Sequence, residues 1–423
     1  MTDRDGENGV AGRILSIDIF RGATIIAMVF ANSTTKMGLP WWMEHAGHTE
    51  GKTDLITWVD MIFPAFMFIM GLAVPLAMSR RLEMSSSVLG LVGHVVMRGA
   101  LLMWLGGVLY GFGINTTAIE ISIAAWVSMG FVALILLLST VPPQLLKTTA
   151  KPAWLWGVRG LGLAYFVWAT TAYNGGDSDP FFRADGFTYS ILGMLGIAYI
   201  CASLLYLATR HSQLARLGIC GLLILLRFHV QHEGAFLPAW IPQPLAWFGL
   251  LSHLTDGGLI VLAGTFLGDL FVARDGVLPN RPNRFVAVFG IGFLTAAAFV
   301  DGDFFATFIG LRKTLFCIGA CALVFLLLHQ AEQRKGATSL FGSLTRPLLE
   351  VGHNPLFAYS LQFGLGGMLA LVLGDETLVN SIEGYTLFGA HGWLGAASTA
   401  LPFTVAVVAL TSLANRYRLY LKL

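Results

Sequence analysis

Charge is what this sequence has least of. Asp, Glu, Lys and Arg make up 12% of 423 residues, about half the roughly 25% of a soluble domain, which excludes an ordinary water-soluble enzyme. Neither sign prevails: 26 Lys and Arg stand against 24 Asp and Glu, a formal net charge of +2. With no basic run and no zinc-ligand spacing, nucleic acid is excluded as a partner. Cysteine is scarce as well. Cys201, Cys220, Cys317 and Cys321 all fall inside apolar runs, so they read as small buried hydrophobes and not as a disulfide framework or a metal site. There is no fixed-period repeat, and no polar connection is long enough to build a second core; the longest are 32–54, 174–186, 231–253 and 374–391. Before the first apolar run there is neither a basic n-region nor an A-x-A cleavage site, so that run is expected to be a retained span. The expected organisation is a short cytoplasmic tail, 1–12, and a single transmembrane domain, 13–423.

What is abundant is apolar surface: 56% of the residues are hydrophobic and the mean hydropathy is +0.71. The partner this composition implies is the lipid bilayer. A helix needs about 20 apolar residues to cross the hydrocarbon core. Stretches of that kind begin near Ile14, Leu55, Val95, Ile119, Trp154, Phe187, Leu214, Leu254, Arg284, Thr314, Pro347 and Trp393. The one at Leu214 is short and runs into Arg227, His229 and His232. The expectation is an all-α, polytopic integral membrane helix bundle of about 11–12 spans. Cytoplasmic loops carry the excess of Lys and Arg. With the N-terminus inside, 19 of the 26 Lys and Arg fall on the cytoplasmic side and six outside, Arg21 lying within the first span; this gives N-in/C-in. The four long connections then lie outside and bring an excess of Asp and Glu with them, so that face is the expected place for a binding site built from loops.

An ionisable group in a span is expensive unless paired or hydrated. Asp18 and Arg21 are three apart and able to pair. Asp60 precedes Met61-Ile62-Phe63-Pro64, where the proline removes a backbone hydrogen bond; it suits a structural role and the orienting of a histidine equally. On the outer side stand Asn32, able to cap a helix end, and His45, with His48 as its rival. Histidine takes and returns protons near neutral pH and can carry an acyl group transiently. His253 and Asp256 sit at the entrance to the eighth span, followed by Gly257 and Gly258, which leave the backbone open to close approach. Arg312 and Lys313 sit at the entrance to the tenth, where snorkelling is the plainer reading. On the inner side Arg80, Arg81, Arg98, Arg274, Arg281 and Arg284 serve either as topology signals or as a grip on a phosphorylated donor.

Arg13-Ile14-Leu15-Ser16-Ile17-Asp18-Ile19-Phe20-Arg21-Gly22, then Asn32, His45-Ala46, Gly51-Lys52-Thr53 and Asp60-Met61-Ile62-Phe63-Pro64-Ala65-Phe66-Met67-Phe68-Ile69-Met70-Gly71 resemble the N-terminal signature of the heparan-α-glucosaminide N-acetyltransferase family of transmembrane acyltransferases. The resemblance is specific over residues 13–78 and thins beyond. Thr255-Asp256-Gly257-Gly258, Arg312-Lys313-Thr314-Leu315, and Gly352-His353-Asn354-Pro355-Leu356 with Tyr359 are similar to later segments in the same order. Two departures stand out: His48 occupies the place of a tryptophan in the family's His-Ala-x-Trp pattern, and a Gln-Arg pair of a middle helix is replaced by Gly193-Met194. A divergent branch with a different acceptor fits both.

The resemblance implies an acyltransferase of a bacterial inner (cytoplasmic) membrane. It would take acetyl from cytosolic acetyl-CoA, without a metal, and deliver it to an amino sugar on the extracytoplasmic side, and it would form a homodimer. By the same resemblance His45 and Asn32 are catalytic candidates, and Asp60 joins them as the carboxylate placed to orient a histidine. His45 would be the base or transient acyl carrier, Asn32 the amide that binds the acetyl carbonyl or the imidazole, and Asp60 or Asp256 the carboxylate that sets the imidazole tautomer. His48, Asp256, His253, Lys313 and Asn354 are the substrate-binding candidates, and Arg80, Arg81 and Arg98 the donor-binding ones. Acidic outer loops favour a cationic amine such as glucosamine. The rival reading is a secondary transporter of a small sugar-like solute, which also suits twelve spans and scattered intramembrane charges.

Overall fold

The computed structural model describes residues 14–34, 38–44, 56–84, 87–110, 121–140, 153–172, 190–232, 254–272, 282–300, 311–334, 340–374 and 392–422. Among these the protein is helical throughout, apart from one isolated antiparallel bridge between Ser139 and Leu421. The helices are α1 Leu15–Thr34, α2 Trp58–Met84, α3 Val88–Tyr110, α4 Ile123–Leu138, α5 Ala153–Ala172, α6 Ile191–Thr209 and α7 Gln213–His232. They continue with α8 Leu259–Gly268, α9 Pro282–Ala298, α10 Leu311–Arg334, α11 Leu340–His353, α12 Pro355–Leu373 and α13 Leu401–Arg416. Among the described residues seven spans, including α1, α2, α3, α6, α10 and α12, are long and apolar enough to cross a membrane, and three shorter helices are also apolar. The seventh span, Gly392–Arg416, is α13 with the turns that lead into it. The protein is therefore an all-α polytopic membrane bundle.

Local chemistry sets where these helices begin. Ser122 caps α4 by accepting from Ala125 N–H at 3.2 Å, and Ser190 caps α6 by accepting from Gly193 N–H at 3.0 Å, each satisfying a donor the helix leaves orphaned. The start of α1 is capped from a distance: Glu332 on α10 accepts from Leu15 N–H at 3.0 Å and Ser16 N–H at 2.9 Å. Each of the twelve apolar stretches read from the sequence has a helix among the described residues, with two starts clearly shifted. The third, expected from Val95, begins at Val88. The eleventh was expected from Pro347, yet Pro347 lies inside the strongly amphipathic α11, and the apolar helix α12 starts only at Pro355. The reason is local: a residue before proline is pushed out of the helical region, and Asn354 sits at φ −130°, ψ 57°.

The bundle is built from close pairs: α9 on α10, α3 on α6, α2 on α8, α1 on α11 and α4 on α12. In the α1–α11 pair a Cβ at Gly22 would collide with the Leu348 carbonyl, and one at Gly352 with the Asp18 carbonyl. The reversed order of these contacts shows that the two helices run antiparallel. Outward faces carry Leu161, Leu225, Val288, Phe299 and Val372, all exposed, an apolar surface that only lipid covers without cost.

Several ends meet at one pole. Beside the Glu332 cap, Asn354 donates to Asn415 Oδ1 at 3.2 Å and to the Leu419 carbonyl at 2.8 Å, and its Oδ1 accepts from Leu421 N–H at 3.2 Å. Thr140 N–H donates to the Tyr420 carbonyl at 2.9 Å. The starts of α1 and α12 and the ends of α4, α10 and α13 thus share a pole, the one to which the cation bias assigns the cytosol. A charged network lies nearby. Arg216 on α7 and Asp269, just past α8, form a 2.7 Å ion pair with side chains 0% and 1% exposed. Tyr206 of α6 donates to Asp269 at 2.9 Å, and Arg216 lies 4.5 Å from the Tyr206 ring centroid and 5.2 Å from that of Phe266.

Candidate active site

A cavity of about 300 Å³ opens between α1, α2, α3, α6 and α12. On α2 its wall runs from Phe66 to Met78, twelve residues and so about 18 Å of depth. Arg21 and Arg98 both line it: Arg21 stands with Ala73 and Ala77 toward the cytosolic pole, and Arg98 near the middle of α3. The Arg98 guanidinium lies 5.4 Å from the centre of the Tyr199 ring, a cation–π contact. The rest of the wall is mostly apolar, with Tyr199 and Tyr359 set among Leu102, Leu192 and Leu356. A second cavity of about 210 Å³ shares Arg21, Ala73 and Ala77 with the first and adds Asp18 and Arg80. The pairing expected for Asp18 and Arg21 is present at 2.9 Å. Arg21 also donates to the Gly352 carbonyl at 3.3 Å, and His353 Nε2 approaches Asp18 at 3.8 Å.

Toward the other pole, the cavity face of α1 continues to Asn32. Arg21 and Asn32 are eleven residues apart, about three full turns and about 16 Å, so they stand nearly in line. Asn32 Nδ2 donates to Gln362 Oε1 at 3.2 Å. Gln362 is only 1% exposed. It lies seven residues, or about two turns, above the cavity-lining Pro355, and one turn above Tyr359. Asp60 lies at the start of α2, on the same pole as Asn32. Its carboxylate accepts from Thr57 N–H at 3.2 Å and Thr57 O–H at 3.1 Å, while Asp60 N–H donates to Thr57 Oγ1 at 3.3 Å, a reciprocal capping box. α2 also packs against α10, whose first turn carries Lys313.

The sequence candidates therefore separate. Asn32 stands on the line of the cavity, Arg98 lines it near the middle of α3, and Arg80 lines only the smaller cavity that adjoins it. Arg81 is exposed and lines neither of the two cavities among the described residues. Asn354 lies at the cytosolic pole with both its N–H groups and its oxygen engaged by the C-terminal segment, away from Asn32. Asp256 sits in the π-helical turn Leu254–Gly258, where Gly257 packs against Met67; its side chain lies outside what is described. His45, His48 and His253 also lie outside the described residues. Gln362 escaped the reading of the sequence, although a lone amide in an apolar run is a signal of the same kind as Asn32. Among the described residues no three His, Cys, Asp or Glu gather as a metal-ligand set.

A family model described as "Domain of unknown function (DUF5009)" matches residues 13–271. Among curated proteins the chain is similar to "Heparan-alpha-glucosaminide N-acetyltransferase" of Mus musculus, 35% identical over 96 residues, which are 23% of this chain and 14% of that protein. It is also similar to the Homo sapiens protein of the same name, 36% identical over 94 residues, 22% of this chain and 13% of that protein. The match thus spans about one-seventh of the length of these relatives.

Proposed function

On the premise that this chain belongs to the DUF5009 family, we propose that it is a transmembrane acetyltransferase, taking acetyl from cytosolic acetyl-CoA and passing it to an amino sugar on the opposite side. The observation that carries the reading is the cavity: about 18 Å long on its α2 wall, lined by Arg21 and Arg98, with the Asn32–Gln362 amide pair in line with its outer end. Acetyl-CoA is built to that pattern, with a phosphorylated nucleotide at one end and a slender thioester-bearing arm at the other. Similarity to the named acetyltransferases supports the same class of chemistry.

In this reading Arg98, Arg80 and Arg21 bind phosphate oxygens by charge-assisted hydrogen bonds. The arm lies along Leu102, Leu192 and Leu195 and brings the thioester toward Asn32. The sugar amine attacks the carbonyl carbon, the C–N bond forms as the C–S bond breaks, and His45 carries the proton lost by nitrogen to the departing thiolate. Asn32 donates to the carbonyl oxygen as charge develops on it. Lys313, Asp256, His253 and His48 belong to the acceptor side. Asp60, held in its capping box, fixes the start of α2 beside them.

Acetyl-CoA binding by purified protein, measured calorimetrically for wild type and Arg98→Ala, tests the donor half. The expected result is wild-type binding weakened about tenfold or more by the substitution, the scale of one charged hydrogen bond. Wild-type protein that does not bind acetyl-CoA would remove the reading.

A further inference from the structure

Among the described residues, Gln362 is a buried amide in this region with an end left over. Its Oε1 is taken by Asn32 Nδ2 at 3.2 Å, the residue is 1% exposed, and its Nε2 has no hydrogen-bond partner. A buried, unpaired amide N–H group costs about 1–3 kcal/mol, and such groups persist where a ligand completes them. What could complete this one follows from its place. Gln362 continues the face of α12 on which Pro355 and Tyr359 line the cavity, and its bonded partner Asn32 continues the face of α1 on which Arg21 does. The two amides therefore meet just beyond the outer end of the cavity, about one turn above Tyr359, its outermost lining residue on α12. An acceptor is needed there, and a thioester carbonyl oxygen is the acceptor that an extended donor arm would bring.

We infer that Gln362 is a donor of the acyl-transfer site: its Nε2 N–H binds the acetyl carbonyl oxygen, while its Oε1 holds the Asn32 amide so that the second Asn32 N–H faces the same oxygen. Two preorganised donors then converge on the atom that gains negative charge, the arrangement that stabilises an oxyanion most strongly. This rests on the donor cavity proposed above.

The experiment uses full-length protein with acetyl-CoA labelled with ¹³C at the carbonyl. Wild type is compared with Gln362→Glu, which keeps an acceptor for Asn32 and loses the donor, and with Gln362→Met, which loses both at similar volume. Three quantities are read: donor affinity, the infrared carbonyl stretch of bound acetyl-CoA, and the single-turnover rate to glucosamine. Both variants are expected to bind within a factor of about three of wild type, since a ground-state carbonyl accepts weakly. Both should show the carbonyl stretch moved toward its free value, and transfer roughly 10²–10³-fold slower. A purely structural tether predicts instead that Gln362→Glu matches wild type in stretch and rate, and that result would overturn the inference while leaving the donor cavity intact. Should wild type fail to bind acetyl-CoA, the donor reading and this one fall together. Because binding and the stretch are read on folded, ligand-bound protein, a slow but misfolded variant is not mistaken for support.

Discussion

Replacing Asp269 by Asn would strand a buried guanidinium. Arg216 is 0% exposed on its side chain and its counterion is 1% exposed. Without the carboxylate charge, what remains to Arg216 is neutral: the amide oxygen of the new Asn, Thr265 Oγ1 at 3.2 Å and the ring faces of Tyr206 and Phe266. Its Nε and second Nη already lack partners, so the loss falls on a group with nothing in reserve. Removing one partner of a buried pair costs about 3–5 kcal/mol. Tyr206→Phe removes one hydrogen bond to the charged oxygen, for about 1.5–3 kcal/mol. The double replacement Arg216→Met with Asp269→Leu, made together with Tyr206→Phe so that the hydroxyl bonded to Asp269 goes too, removes both charges, and such exchanges are often neutral or stabilising. The expected order of unfolding midpoints in detergent is wild type close to the combined variant, then Tyr206→Phe, then Asp269→Asn lowest. If Asp269→Asn unfolded with wild type, or the combined variant fell below it, the buried-pair account of this corner would be wrong.

At the α1–α11 contact, Gly22→Ala and Gly352→Ala each place a methyl against a backbone carbonyl and should destabilise by about 1–3 kcal/mol or more; unchanged unfolding midpoints would contradict the contact. Asp60→Ala removes half of a capping box and should cost about 1 kcal/mol with little change in acetyl transfer; a loss of rate at unchanged stability would give Asp60 a chemical role beyond the cap. Arg98→Ala should raise the acetyl-CoA concentration for half-maximal transfer about tenfold or more, whereas Arg81→Ala, exposed and off the cavity wall, should not; equal effects would place the donor elsewhere.

The helices were legible because their signal is local. A run of about 20 apolar residues announces itself wherever it stands, and Asp18 and Arg21 pair across a single turn. Starts were less legible: the sixth stretch was read from near Phe187, whereas Ser190 caps α6 at Ile191, and the cap of α1 comes from Glu332, 317 residues away. The same distance hid the chemistry. Asn32 meets Gln362 across 330 residues, and Arg216 meets Asp269 across 53. Arg80, Arg81 and Arg98 look alike as cytosolic cations, and only the turn of each helix decides which face a cavity. Asn354 drew notice by its motif, but its amide is taken up in holding the C-terminal segment.

The central claim is acetyl transfer across the bilayer, and one measurement addresses it directly. Wild-type and His45→Ala proteins are reconstituted in liposomes with glucosamine trapped inside, and labelled acetyl-CoA, which does not cross the bilayer, is added outside. The account predicts label on the trapped sugar with wild type and none with His45→Ala. Trapped sugar that stays unlabelled with wild type, while sugar itself exchanges across the membrane, would contradict it and identify a transporter instead.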